Sequence, residues 1–239
     1  MSGRFTEKVV LVAGGTGGLG RAASIAFRDE GAKVIVTYRR HEEFERLKSA
    51  IRGDGLAIEG ERVDVTDERA VKQLIEATLL RHGKLDALVN TVGGYAGGVK
   101  LWESQADVLD QMLSMNLRAG YVLARAAVPS LIKQGRGAIV NVAAKAAIDH
   151  PAGAAAYAAS KAAAVAMLDS MAAELRGSGV RVNSILPSII DTEANRSAMP
   201  HANFAKWPKP EEIARVILFL CSDEAKVIHG AAVPVYGGE

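Results

Sequence analysis

Short runs rich in β-branched residues alternate with helix-patterned segments from one end of this chain to the other. The runs are KVVLVA (8–13), KVIVTY (33–38), LAIEGERV (56–63), LDALVN (85–90), GAIVNVA (137–143), VRVNSIL (180–186) and AAVPVYG (231–237). Each of the first six is followed by a segment with helical patterning. Continuous Val/Ile/Leu runs read as strands buried on both faces, and the first, second, fourth and fifth are of that kind. Such alternation predicts right-handed βαβ crossovers and a parallel sheet covered by helices on both sides. The expected fold class is therefore α/β, a doubly wound seven-stranded parallel sheet in one domain spanning 1–239. The least regular stretch, 191–209, is long for a connection in a compact domain and is expected to be a substrate lid.

Charge excludes some partners. The chain has 29 basic and 27 acidic residues, a net charge of +2, and no basic block. That balance gives no footing for nucleic acid or for an anionic membrane. Cys221 is the sole cysteine, so no internal disulfide forms and a reducing compartment fits. The opening MSGRFTEKVVLV lacks the pattern of a signal peptide, and Lys145, Asp149, His150 and Lys161 interrupt the alanine-rich region 143–175. A cytoplasmic protein is expected. His41, His82, His150, His201 and His229 show no metal-ligand spacing and are expected on solvated surface, with no metal site.

The first strand runs into AGGTGGLGRAASIAF, where Gly14, Gly15, Thr16, Gly18, Leu19 and Gly20 form a strand–turn–helix junction. Glycines there permit a tight turn and let the backbone approach a pyrophosphate at the helix N-terminus. A dinucleotide site is expected. An acid at the end of the second strand would bind the ribose 2′-hydroxyl of NAD, but here Tyr38 is followed by Arg39 and Arg40. Two guanidiniums suit a 2′-phosphate. NADP(H) is the favoured cofactor, with NAD(H) the alternative.

Tyr157 and Lys161 lie four residues apart in YAASK, a spacing that puts both on one face of a helix. An ammonium close to a phenol would lower its pKa from the ordinary value of about 10 and make it a usable proton donor.

With these motifs in order, the chain resembles the short-chain dehydrogenase/reductase family over nearly its whole length, with the Rossmann-type fold that this implies. The family's glycine pattern falls on Ala13 through Gly20, and its Asp-Val after the third strand on Asp64 and Val65. Its Asn-Asn-Ala-Gly becomes NTVG, which keeps Asn90 and Gly93. Its Pro-Gly-x-Ile-x-Thr becomes PSIIDT, with Pro187, Ile190 and Thr192 beside the nicotinamide. The resemblance implies Asn116, Tyr157 and Lys161 as the catalytic set. Lys161 would also bind the nicotinamide ribose, and Asn116 would help hold a relay water. The family's catalytic serine position holds Ala144. VGGYAGG (92–98), AAKAAIDHPAG (143–153) and DTEANRSAMPHANFAKW (191–207) further resemble the dihydropteridine reductases of this family, which share alanine at the serine position. A homotetramer, or a homodimer, is the assembly implied.

Loss of a donor to a developing oxyanion typically costs about 2.7–4 kcal/mol. A ketone substrate would suffer, whereas a conjugated, already polarised ring needs the donor less. The expected function is thus NADPH-dependent hydride transfer to a conjugated imine or quinonoid, dihydropteridine-like small molecule. The alternative is a general carbonyl reductase, such as one for 3-oxoacyl thioesters. A third reading, of another class, is a catalytically silent dinucleotide-binding regulator. Lys145 is a candidate replacement donor. Met199 and Trp207 are expected either to line the substrate pocket or to pack the lid down.

Overall fold

The computed structural model describes residues 3–51 and 57–238. Among them, seven strands join one wholly parallel sheet in the order β3-β2-β1-β4-β5-β6-β7. The strands are β1 (Val9–Ala13), β2 (Lys33–Tyr38), β3 (Glu59–Arg62), β4 (Ala87–Asn90), β5 (Gly137–Val142), β6 (Val180–Pro187) and β7 (Ala231–Val235). The longer helices are α1 (Gly18–Asp29), α2 (His41–Ala50), α3 (Glu68–His82), α4 (Asp107–Leu113), α5 (Ala119–Gln134), α7 (Ala155–Glu174) and α9 (Pro210–Cys221). Two short ones, α6 (Ala146–Asp149) and α8 (Glu193–Ala198), lie beside the functional cavity described below.

Side-chain alternation along the strands explains the doubly covered sheet. In β1, Val10 and Val12 enter one apolar cluster with Phe27 of α1 and Ile213 and Ile217 of α9. Val9, Leu11 and Ala13 enter the other, with Leu74 of α3, Leu123 of α5 and Leu168 of α7. A strand buried on both sides has no polar face, which is why it reads as an unbroken apolar run. β6 is equally buried, although its Arg181, Asn183 and Ser184 disguise it in the sequence. Asn183 answers its own burial by accepting from Ala231 N at 3.0 Å and donating to the Ile228 carbonyl at 3.0 Å.

Two expectations are corrected. The third run was expected to be a strand over 56–63, yet β3 covers only Glu59–Arg62, and Leu56 lies outside the described residues. This is an edge strand with charged side chains, and Arg81 ties its Glu59 and Glu61 to α3. Two of the five histidines are also not solvated. His229 accepts from Val182 N at 3.2 Å through Nδ1 and reaches the Ala172 carbonyl at 2.7 Å through Nε2, which fixes the tautomer and pins α7 to β6. His82 tucks its ring against Glu59. His41, His150 and His201 are exposed.

Helix punctuation follows local chemistry. Asp67 caps α3 by accepting from the amides of Arg69 and Ala70, and Gly83 ends that helix in the left-handed conformation. Between α4 and α5 lies a π-helical turn, Ser114–Arg118, so the chain is helical without a break from Asp107 to Gln134. Among the described residues, no helix is long and apolar enough to cross a membrane.

Candidate active site

The order of the sheet reverses between β1 and β4, and the crevice beyond the strand ends there is where doubly wound folds take ligands. Two neighbouring cavities open at that edge, one of about 240 Å³ along the glycine loop and one of about 450 Å³ beside Tyr157.

The first cavity is built from the ends of β1, β2 and β4. Gly14 takes φ +73°, a left-handed turn that redirects β1, and its amide donates to Thr37 Oγ1 at 3.0 Å. A Cβ on Gly20 would lie 2.1 Å from the Gly14 carbonyl oxygen, and one on Gly15 would meet Val36 at 2.5 Å. These positions are therefore closed to side chains. Gly17 caps α1 with no side-chain hydrogen bond, so the first amides of that helix are not consumed by a cap. A bare turn leading into uncapped helix amides fits a pyrophosphate. Leu19 faces the core instead of the ligand space. Gly18 abuts the other side of the site, since its Cβ would meet Thr192 at 2.7 Å.

Gly14, Thr16, Arg39, Val65 and Gly93 line this cavity, together with Tyr38, Glu43, Thr91 and Met115. Arg39 reaches across its mouth to Asp64, with Nη2 3.1 Å from Oδ1. Thr66 and then Arg39 hold the Asp64 carboxyl below the usual carboxylate range. Arg40 departs from expectation. It pairs with Glu43 one helical turn later and does not line the cavity, so one guanidinium faces the cavity in place of two. Glu43, which the sequence reading missed, lines the cavity and accepts from Thr16 Oγ1 at 3.3 Å. Its position in the first turn of α2, directly after the arginines, was the available signal.

Asn90 also differs from expectation. Its amide donates to Asn141 Oδ1 at 2.8 Å, and its oxygen accepts from Val92 N at 3.1 Å, so a buried side chain braces β4 against β5 and shapes the following loop. Asn116 sits in the π turn, buried, and clamps that same loop. It accepts from Gly94 N at 3.0 Å and donates to the Gly94 carbonyl at 3.1 Å and Ser160 Oγ at 3.0 Å. Gly93 beneath it has no room for a side chain, because a Cβ would lie 2.8 Å from Asn116 Oδ1 and 3.0 Å from Lys161 Nζ. Asn116 thus joins the loop after β4 to the helix carrying Tyr157 and Lys161.

The second cavity holds the phenol of Tyr157. Tyr157 and Ala144 both line it, with Pro187 and Ile190 from the end of β6 and Met199 from the stretch after α8. Ala144 is buried and presents only a methyl group. Trp207, by contrast, packs down against the fold at 7% exposure, ring to ring with Phe204. Thr192 starts α8 by accepting from Asn195 N at 3.2 Å. Tyr95, absent from the sequence reading although it lies in the VGGYAGG stretch, puts its ring edge-on to Tyr157 at 4.9 Å.

The Tyr157–Lys161 pair behaves differently from the expectation that the ammonium lowers the phenol's pKa. Burial, and then Tyr95, push Tyr157 up to about 12. Lys161 is itself buried, which pulls its pKa down to about 8, and its Nζ donates to the Val142 carbonyl at 3.0 Å. With the lysine engaged there, desolvation governs the phenol. Tyr157 consequently holds its proton throughout the neutral range.

The family model described as short chain dehydrogenase matches residues 8–203. A 3-oxoacyl-[acyl-carrier-protein] reductase from Thermotoga maritima is 32% identical over 243 aligned positions, covering 98% of each chain. A 2,5-dichloro-2,5-cyclohexadiene-1,4-diol dehydrogenase from Sphingobium indicum is 36% identical, covering all of this chain and 98% of that one. The crystal structure of an NAD⁺-bound xylitol dehydrogenase superposes with a TM-score of 0.90 at 26% identity, over 98% of this chain and 99% of that one. A glycine turn at the switch point, a helix that carries Tyr157 and Lys161, and these full-length likenesses agree: the chain belongs to the short-chain dehydrogenase family and is an NAD(P)-dependent oxidoreductase.

Proposed function

We propose that this enzyme reduces a flat, conjugated imine or quinonoid small molecule, of the dihydropteridine type, and favours NADPH. The observation that carries the reading is the methyl wall of Ala144 beside Tyr157, where a ketone reductase would want a second hydroxyl donor. A polarised, conjugated acceptor spreads incoming charge over its ring and tolerates that lack. Bound in the first cavity, the nicotinamide cofactor would supply the hydride. Tyr157 keeps its proton until charge develops on the neighbouring heteroatom and then donates it. Lys161, anchored on Val142, supplies positive charge below the site. Gly93 and Asn116 fix the loop that separates the two cavities.

Arg39 at the mouth of the first cavity supports the NADPH preference, since no acid ends β2. The ring substrate in the name of the Sphingobium relative favours a cyclic acceptor. The name of the Thermotoga relative favours the second reading, reduction of a 3-oxoacyl thioester. Cofactor oxidation with a quinonoid dihydropterin, a benzoquinone and a 3-oxoacyl thioester decides between them. Turnover of the thioester alone overturns the first reading.

The reading includes a cytoplasmic homotetramer. Leu109 and Tyr121 stay 43% and 54% exposed on the outer face of α4 and α5, which suits burial against a second copy. Light scattering at micromolar concentration tests the assembly, and a monomer would contradict it.

A further inference from the structure

Beside Tyr157 the substrate cavity carries a charged pair. Among the described residues that line it, Lys145 is the one cation and Asp149 the one carboxylate. Lys145 Nζ lies 3.5 Å from Asp149 Oδ2, and the two are one helical turn apart. The turn is α6, and it stops abruptly because His150 adopts a left-handed conformation at φ 47°. The ammonium also sits 5.0 Å over the ring of Tyr236, whose carbonyl is held by Ser188 Oγ at 2.8 Å. The pair is thus fixed on a wall that is otherwise made largely of Ala143, Ala144, Ala146, Ile189 and Met199.

With side chains 32% and 48% exposed, such an ion pair adds little to stability. As a recognition element it is more specific. An ammonium has three donors and a carboxylate about four acceptor sites, so neither is limited to a single contact. Side by side, they offer a ligand one donor and one acceptor. A purely anionic group would gain Lys145 but meet the charge of Asp149. A hydrocarbon edge would strip water from both ions and return no hydrogen bond. A neutral ring edge with an N–H next to a C=O satisfies both at once, the N–H donating to Asp149 and the carbonyl accepting from Lys145.

We propose that Lys145 and Asp149 read the cyclic amide edge, lactam or ureide, of a flat substrate. This deepens the reading of a planar conjugated substrate and rests on it. Pterin, a fused two-ring system with such an edge, and quinoxaline, two fused rings without one, are the probes. Binding is measured by ligand fluorescence or displacement with NADP⁺ present, on the wild type, Lys145→Met and Asp149→Ala. The wild type should bind pterin at least about ten-fold more tightly than quinoxaline, and each substitution should weaken pterin by about ten-fold or more. Quinoxaline should be unaffected. Equal binding of both ligands by the wild type, or equal losses on both in the variants, would overturn the proposal. Turnover separates this failure from failure of the parent reading. If the wild type reduces neither benzoquinone nor quinonoid dihydropterin, the hydride-transfer reading falls while the binding result still judges the pair. If it reduces both and Lys145→Met leaves their ratio unchanged, the pair does not read the edge.

Discussion

The ammonium of Lys161 donates a 3.0 Å hydrogen bond to the carbonyl of Val142, the last residue of β5. Because burial draws this lysine from 10.5 down to about 8, the folded chain binds fewer protons than the unfolded chain between those values. Lys161 therefore makes stability rise with pH across that window. The buried Cys221 thiol, raised from 9.0 to about 12, works with the opposite sign above its unfolded value. The difference between wild type and Lys161→Met isolates the lysine. In urea unfolding, the stability of the variant relative to wild type should fall by about 2 kcal/mol from about pH 7.5 to about pH 10. A constant difference would show that the lysine is not desolvated as described.

Tyr157 is the proton donor in this reading, so Tyr157→Phe should lower kcat/KM by about a hundred- to ten-thousand-fold. Cofactor binding should survive, because the phenol lines the second cavity and not the first. Steady-state rates and cofactor titration of the same preparation check both halves.

Ala144→Ser restores a hydroxyl to the wall beside Tyr157. It should raise kcat/KM for a ketone selectively and leave a quinonoid dihydropterin little changed, since only the ketone concentrates charge on one oxygen. Equal gains on both substrates would mean that the alanine is damage and no adaptation.

Arg39→Asp should weaken NADP(H) far more than NAD(H), by loss of the charge-assisted contact and by repulsion from the 2′-phosphate. Arg40→Ala should have a much smaller effect, because that side chain is paired with Glu43 and does not itself line the cavity. Dissociation constants for both cofactors, measured by quenching of protein fluorescence, give the answer. Similar losses in the two variants would return Arg40 to the site.

Gly20→Ala places a methyl group on the backbone of Gly14, which cannot move without opening the turn. Overpacking of this kind costs about 1–3 kcal/mol, and the distorted turn should also lose cofactor affinity. Thermal melts with and without cofactor should show a lower midpoint and a smaller cofactor-induced rise.

Where chain geometry alone decides, the sequence was readable. The apolar runs of β1, β2, β4 and β5 announced a two-sided core, and the glycine loop announced the switch point. Side-chain partners were less legible. Arg39 and Arg40 are adjacent and alike, and only the helical spacing from Arg40 to Glu43 sends one of them away. Asn90 and Asn116 have the composition of ligand contacts, yet their hydrogen bonds are spent on Asn141, Val92, Gly94 and Ser160. Spacing placed Lys161 one turn from Tyr157, but it carried no information about Val142, which a separate strand brings to the ammonium.

The π turn at Ser114–Arg118 has a consequence for how this chain tolerates change. A π turn holds one residue more than an α-helical turn. That surplus residue lets Asn116 point at Gly94 while α5 keeps Leu123 and Leu131 against the sheet. Deleting one residue there would restore a regular α-helical turn without rotating the helices on either side, because a π turn absorbs its extra residue locally. α5 would keep its apolar stripe on the sheet, and Asn116 would lose the widened backbone that aims it at Gly94. A deletion in this turn should therefore spare the core and cost the loop after β4 its clamp.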